Sequence, residues 1–213
     1  MHRYFIITRG DLKRTVWTKF TMKRIAASLF LVVSIVAQPA GAQTLGADAA
    51  RQAAEALVQE VLETLAVRDF RKLASFVGEE GLTVSPYVML DDSDVLLSRF
   101  ELEHCATDPQ LRYWGDRDGS GDPIEATCGA YFDEFVWSAD YRKADEVLYN
   151  EPRQRGNDIN NNHEFAPDGI VVELHIRGEG DAAEMSWKSL RLIFREGEQG
   201  LFLIAITRDV WTI

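Results

Sequence analysis

The segment 169–213 carries the pattern that most constrains the fold. In "GIVVELHIRG", residues 169–178, apolar and polar side chains alternate, which is typical of a strand with one buried face. The apolar face comprises Ile170, Val172, Leu174 and Ile176. The opposite face carries Glu173, His175 and Arg177, and we expect these side chains to form a solvent-exposed charge ladder with Arg191 and Arg195 of the next strand.

An antiparallel hairpin follows this strand. Leu190, Leu192 and Phe194 alternate inward, and "EGEQG" at residues 196–200 predicts a turn before a long apolar strand. That last strand alternates between two apolar faces, one with Leu201, Leu203 and Ala205 and the other with Phe202, Ile204 and Ile206. Because both faces are apolar, we expect the last strand to lie in the centre of its sheet.

Helices precede the strands. Residues 47–77 show two sets of apolar residues at helical spacing, and Asp69 is a reasonable N-cap for the second helix. "LTVSPYVML", residues 82–90, predicts an edge strand, since Pro86 cannot donate to a ladder. "DDSD", residues 91–94, is a turn, and residues 95–102 are compatible with a second strand. This order indicates an α+β fold.

Two segments resemble a known superfamily. The helix pair in "ALVQEVLETLAVRDFRKLASFVGEEGLTVSP" and the terminal "LIAITRDVW" are similar to the nuclear transport factor 2-like superfamily, which includes ketosteroid isomerases and SnoaL-type proteins. The resemblance implies N-terminal helices packed on a strongly bent antiparallel sheet, a cone that encloses a pocket. The superfamily includes enzymes, dimerising modules and pocket binders, so the fold implies no particular activity.

The first residues read as a leader. Residues 22–42 combine a basic head, an apolar run too short to span a bilayer and the ending Ala40-Gly41-Ala42, which predicts a signal peptide cleaved after Ala42. A short buried helix is the alternative. Residues 1–21 are then an upstream extension from a misassigned start codon, or a long basic leader. We expect residues 43–213 to form one globular domain. After cleavage this domain would be periplasmic or secreted and would have no membrane anchor.

The predicted mature chain is strongly acidic. Residues 43–213 contain 16 basic and 33 acidic residues, a net charge of −17. Such a chain repels nucleic acid, because phosphate binding needs a basic patch. The charge suits cationic partners or divalent ions, or it serves solubility alone.

Cys105 and Cys128 are the two cysteines of the sequence. An exported chain meets an oxidising compartment, so a disulfide between them is expected; two separately buried thiols are the alternative.

The glycine-rich stretch "WGDRDGSGDPIEATCG", residues 114–129, permits two interpretations. Asp116, Asp118, Ser120 and Gly121 match the start of a calcium loop, but the bidentate glutamate at its end is missing. The favoured interpretation is a helix over residues 123–136, capped by Asp122. We therefore expect no cofactor, and a weak Ca²⁺ site at Asp116 and Asp118 stays open.

Candidate residues for chemistry are few. Asp133, on the predicted helix, and His163, in an Asn-rich loop, are candidate acid–base groups. Tyr87, Trp114 and Tyr131 are candidates for lining a pocket, since buried Tyr and Trp need polar partners.

Two functions are compatible with these observations. The first is a non-enzymatic exported module that binds a small molecule or a protein partner, with a homodimer through the outer sheet face as a further expectation. The alternative is an acid–base enzyme of the isomerase, dehydratase or hydrolase type with its site in the cone pocket. Whether the chain is an enzyme stays open at this point.

Overall fold

A six-stranded curved sheet forms the centre of the fold, in a computed structural model that describes residues 44–211. The expected extension, signal peptide and cleavage site lie outside the described residues. In sequence order the strands are β1 (Leu82–Ser85), β2 (Val95–Leu97), β5 (Glu146–Tyr149), β6 (Ile170–Ile176), β7 (Lys188–Gly197) and β8 (Gly200–Val210). Their spatial order is β2-β1-β8-β7-β6-β5. A separate two-stranded sheet comprises β3 (Arg112–Asp116) and β4 (Pro123–Ala126).

The C-terminal hairpin is confirmed. β7 pairs with β8 across a turn between Gly197 and Gly200, and β8 lies inside the sheet between β7 and β1. The predicted strict alternation of side chains between the two faces of β8 is wrong, because Phe194 pairs with Leu203 while Ile193 pairs with Ala205. The extra residue, Ile204, forms a bulge, and a bulge bends the strand that carries it.

β1 is not the edge strand that Pro86 suggested. It lies between β2 and β8, and its pairing with β8, which places Thr83 opposite Ala205, is parallel. Pro86 follows the last residue of the strand, so its missing N–H removes no ladder hydrogen bond. The strand at this edge of the sheet is β2. The strand predicted over residues 95–102 ends with β2 at Leu97, because Ser98 caps a short helix, α3 (Arg99–His104).

Helices cover the inward face of the sheet. The N-terminal pair is α1 (Ala47–Ala66) and α2 (Phe70–Ser75), and α1 buries its apolar stripe against the strands. The α+β fold class is thus confirmed, with N-terminal helices on a curved, mostly antiparallel sheet. Among residues 44–211, no helix is long and apolar enough to cross a membrane.

Asp69 caps α2 as expected, since its carboxylate accepts a hydrogen bond from the Lys72 N–H at 3.0 Å. We predict that Asp69→Ala lowers the free energy of unfolding by about 1 kcal/mol, because one backbone donor loses its partner. Urea denaturation followed by circular dichroism measures this difference. The matched control is Asp122→Ala, at an exposed position, where a change within about 0.5 kcal/mol is expected. Equal losses for the two variants would contradict the capping role.

The predicted helix over residues 123–136 is wrong in its first part. Pro123–Ala126 is strand β4, which pairs with β3, so the glycine-rich stretch is the loop of a β-hairpin. The helix begins later, as α4 (Cys128–Tyr131), with the Thr127 hydroxyl accepting from the Ala130 N–H. A π-helical turn, Phe132–Val136, continues it.

The predicted disulfide is present between Cys105 and Cys128, whose Cα atoms are 4.9 Å apart. It joins the residue after α3 to the first residue of α4. The β3–β4 hairpin therefore lies inside a covalently closed loop.

Residues 150–168, which we call the covering segment, lie over the outer face of the sheet. They include the short helix α5 (Asn162–Phe165), and Ala166 packs with Val171 and Ile193 of the sheet. The charge ladder predicted as solvent-exposed is therefore wrong at its centre, where Glu173 and Arg191 are 3% and 1% exposed. A homodimer formed through this face would have to include the covering segment in its interface. The homodimer stays a prediction.

Candidate functional site: an acidic cleft beside the β3–β4 hairpin

A cleft of about 690 Å³ opens between three loops. One wall is residues 85–94, between β1 and β2, and the opposite wall is the β3–β4 hairpin. Asp158 and Ile159 of the covering segment close one side. The volume lies in the range of small-molecule sites in proteins, about 300–1,000 Å³.

Carboxylates dominate the charge of this cleft. The lining includes five aspartates, Asp91, Asp94, Asp116, Asp118 and Asp158. One arginine, Arg117, is also there, but its guanidinium is 2.8 Å from the Glu134 carboxylate, which offsets its charge. The cleft therefore carries a net negative potential.

Two of the carboxylates are partly buried. Burial raises the pKa of Asp94, although the Asp91 N–H donates to its Oδ2 at 2.8 Å. Burial also raises the pKa of Asp158, and the nearby charge of Asp118 adds to this effect. Asp91 differs, since hydrogen bonds from Ser93 lower its pKa. The charged forms of Asp94 and Asp158 are thus the ones that a bound cation would stabilise most.

The hairpin wall is fixed by Tyr87. Its hydroxyl donates to the backbone oxygen of Asp116 at 2.7 Å and accepts from the Asp118 N–H at 2.6 Å. Gly119 and Gly121 have positive φ angles of 77° and 70°, which permit the tight loop between these contacts. Tyr87 thus joins the two walls.

An aromatic stack supports the cleft from behind. Trp114 lies on Tyr131 with ring centroids 3.9 Å apart, and Tyr131 lies on Phe135 at 5.1 Å. The Trp114 Nε1–H donates to the Ala126 backbone oxygen at 2.9 Å, so its position is set by β4. Tyr131 is fully buried, and burial raises the pKa of its hydroxyl well above the usual range.

The structure brings together four of the sequence candidates. Tyr87, Trp114, Asp116 and Asp118 line the cleft, whereas Tyr131 lies behind Trp114. Within residues 44–211, no group of three or more His, Cys, Asp or Glu side chains has an arrangement that could hold a metal ion.

The two acid–base candidates lie elsewhere. Asp133 pairs with Arg68 at 2.7 Å, with about half of each side chain exposed. His163 lies in α5, and burial lowers its pKa. Neither residue lines the acidic cleft, and their catalytic roles stay predictions.

Sequence reasoning missed Asp94 and Asp158. Asp94 stood in a stretch interpreted only as a turn, and Asp158 stood in the Asn-rich loop. The one available signal was the density of aspartates at residues 91–94 and 116–122, which the fold places on opposite walls.

The inward face of the sheet, where a cone pocket was expected, is tightly packed. Aromatic side chains fill it, among them Tyr131, Phe132, Phe135, Tyr141 and Tyr149. A crevice between α1, α2 and the π-helical turn measures about 10 Å³, room for about one water molecule.

No protein-family model matches the chain, and no curated protein matches it. One solved structure, from Xanthomonas campestris and described as a calcium/calmodulin dependent protein kinase II association domain, is similar at 14% identity and a TM-score of 0.35. The match covers 79% of this chain and 94% of that one, and at this TM-score it carries no argument about function.

Proposed function

We propose that this chain is an exported, non-enzymatic binding module of the nuclear transport factor 2-like kind, and that its acidic cleft binds an organic cation. The observation that carries the proposal is the cleft itself, where five carboxylates face one arginine that is already paired. A ligand with one or more ammonium groups would offset this charge.

The form of the cleft favours an organic cation over a metal ion. Tyr113 is exposed at the rim with Met89 and Ile159, so apolar and aromatic surface adjoins the carboxylates. Ammonium groups gain from aromatic faces as well as from carboxylates. Ca²⁺ at Asp116 and Asp118, which the sequence left open, stays a competing proposal for the same loop.

Export is part of the proposal. The signal-peptide pattern of residues 22–42 supports it, and so does the disulfide, which is typical of oxidising compartments. The alternative, an acid–base enzyme in a cone pocket, is less favoured because aromatic side chains occupy the inward face.

Calorimetric titration of the purified protein with spermidine tests the proposal. We expect saturable binding that weakens with added salt, and a loss of about two- to tenfold in affinity for Asp94→Asn and for Asp158→Asn. Asp181→Asn, the same change at an exposed position outside the cleft, is the matched control and should leave the affinity unchanged. Parallel titrations with trilysine and with Ca²⁺ distinguish a small amine from a basic peptide and from a metal ion. Absence of spermidine binding, or equal affinities for Asp94→Asn and Asp181→Asn, would overturn the proposal.

The same variant gives an independent readout in its stability. Because burial raises the pKa of Asp94 in the folded state, its ionisation opposes folding increasingly as the pH rises above the unfolded value of about 3.9, and the effect is complete above the raised pKa. Asp94→Asn should therefore be more stable than the parent protein at pH 7. The difference should vanish below about pH 3.9, where the carboxyl is protonated in both states. A variant that loses affinity while gaining stability identifies Asp94 as a ligand-binding group rather than a structural one.

A further inference from the structure

A second cleft, of about 380 Å³, lies beside Trp187 at one end of the outer sheet face. Its walls include Arg155, His175, Arg177 and Glu184, and it shares no residue with the acidic cleft. The four side chains differ in charge and in the partners they already have, and those partners determine what the cleft can bind.

His175 is held in one orientation from behind. Its Nδ1 is 2.9 Å from the Ser189 hydroxyl, which donates its single hydrogen to Glu173 at 2.8 Å. Glu173 Oε1 is the acceptor there, because the guanidiniums of Arg155 and Arg191 lie 2.8 and 3.3 Å from the same oxygen. Ser189 must then accept from Nδ1–H, and Nε2 carries the lone pair.

The surroundings of His175 favour the neutral form of its imidazole. Burial and the neighbouring Arg155 lower its pKa, while Glu173, Glu146 and Asp145 act in the opposite direction. Within residues 44–211, Nε2 makes no hydrogen bond. Nε2 of His175, a residue that lines the cleft, is therefore an acceptor without a partner among the described residues.

Arg177 supplies the available cation. Its guanidinium makes no ion pair within the described chain, whereas Arg155 is already paired with Glu146 and Glu173. Arg177 follows the last residue of β6, two positions after His175, and lines the same cleft. The cleft is thus lined by both a hydrogen-bond acceptor and a cation.

Trp187 supplies a flat apolar wall. Its ring centroid is 5.9 Å from that of His175, and the residue is 9% exposed. Gly156 of the covering segment also lies against the indole, where an added Cβ would be 3.4 Å from the ring. The indole is thus fixed between the covering segment and the cleft.

We propose that this cleft binds a planar aromatic hydroxy acid. The ligand's hydroxyl donates to Nε2 of His175, its carboxylate pairs with Arg177, and its ring lies along Trp187. A carboxylate without a donor group fits less well, because Nε2 and the Glu184 carboxylate both repel it. A neutral phenol uses His175 and leaves Arg177 without a partner.

Titration of the full protein with 4-hydroxybenzoate, benzoate and phenol tests this proposal, with the His175 ring observed by NMR. We expect 4-hydroxybenzoate to bind about five- to tenfold tighter than either of the others and to shift the Nε2 resonance. Arg177→Gln should reduce its affinity to that of phenol. The matched control is Arg71→Gln, at an exposed position on α2 outside the cleft, and it should have no effect.

Three results would overturn the inference: equal binding of benzoate and 4-hydroxybenzoate, an unchanged affinity in Arg177→Gln, or no saturable binding of any of the three compounds. Because the spermidine titration concerns a different cleft, failure of one proposal leaves the other intact. Arg177 is exposed, so its substitution tests binding without disturbing the fold.

Discussion

Replacing Arg191 with methionine is expected to lower the free energy of unfolding by about 3–5 kcal/mol. The Arg191 guanidinium lies 2.9 Å from Asp209 and 3.3 Å from Glu173, and it also donates to the Arg153 backbone oxygen. Arg191 is 1% exposed, and both carboxylate residues are almost fully buried. Without the arginine, Asp209 has no other ion pair within residues 44–211, and Glu173 keeps there only the pairing with Arg155.

Urea denaturation at pH 7 measures this loss, and Arg195→Met is its matched control on the same strand. Arg195 pairs with Glu80 and Asp168 at the surface, so its loss should cost about 0–1 kcal/mol. Adding Glu173→Gln and Asp209→Asn to Arg191→Met should restore part of the stability, because no buried charge is then left unpaired. If Arg191→Met cost no more than Arg195→Met, the buried network would not have the role described.

Reduction of the Cys105–Cys128 disulfide is expected to cost about 3 kcal/mol. The two residues are 23 positions apart, and opening this loop returns chain entropy to the unfolded state. Urea unfolding with and without dithiothreitol measures the difference. Because the β3–β4 hairpin lies within the loop, reduction should also weaken spermidine binding at the acidic cleft.

The double variant Cys105→Ala/Cys128→Ala is the control for the reductant. Its unfolding should not respond to dithiothreitol, and its stability should lie within about 1 kcal/mol of the reduced parent protein. A parent protein equally stable in both conditions would contradict the expected contribution of the disulfide.

The sequence predicted the strands better than it predicted their surroundings. Ile170, Val172, Leu174 and Ile176 face the core as their alternation indicated. The same alternation predicted a solvent-exposed Glu173, and this prediction was wrong, because the residue is buried. Alternation distinguishes the two faces of a strand, but it does not show whether a distant segment covers the polar one.

The helix predicted at Pro123 failed for a related reason. Asp122, Pro123 and Glu125 fit a local capping pattern, yet pairing of residues 123–126 with β3 prevails. Tertiary pairing overrides local preference of this kind. Ile124, Cys128, Tyr131 and Phe135 are nevertheless all buried, because burial depends on apolar character and not on the type of element.

The candidate site was only half predictable. Asp116, Asp118, Tyr87 and Trp114 could be chosen because a glycine-rich loop and aromatic residues stand out in the sequence. Asp94 and Asp158 could not, since the chain has 34 acidic residues and the fold alone selects which of them meet.

The parallel pairing of β1 with β8 sets the order in which this chain can fold. Val84 and Ser85 take Ile206 and Thr207, 122 positions further along the chain, as their partners. Contacts so distant in sequence form slowly, because the entropy of closing the loop is lost before the contact is made. One side of β1 consequently stays without a partner until β8 has been synthesised, and the six-stranded sheet can close only as a late step of folding.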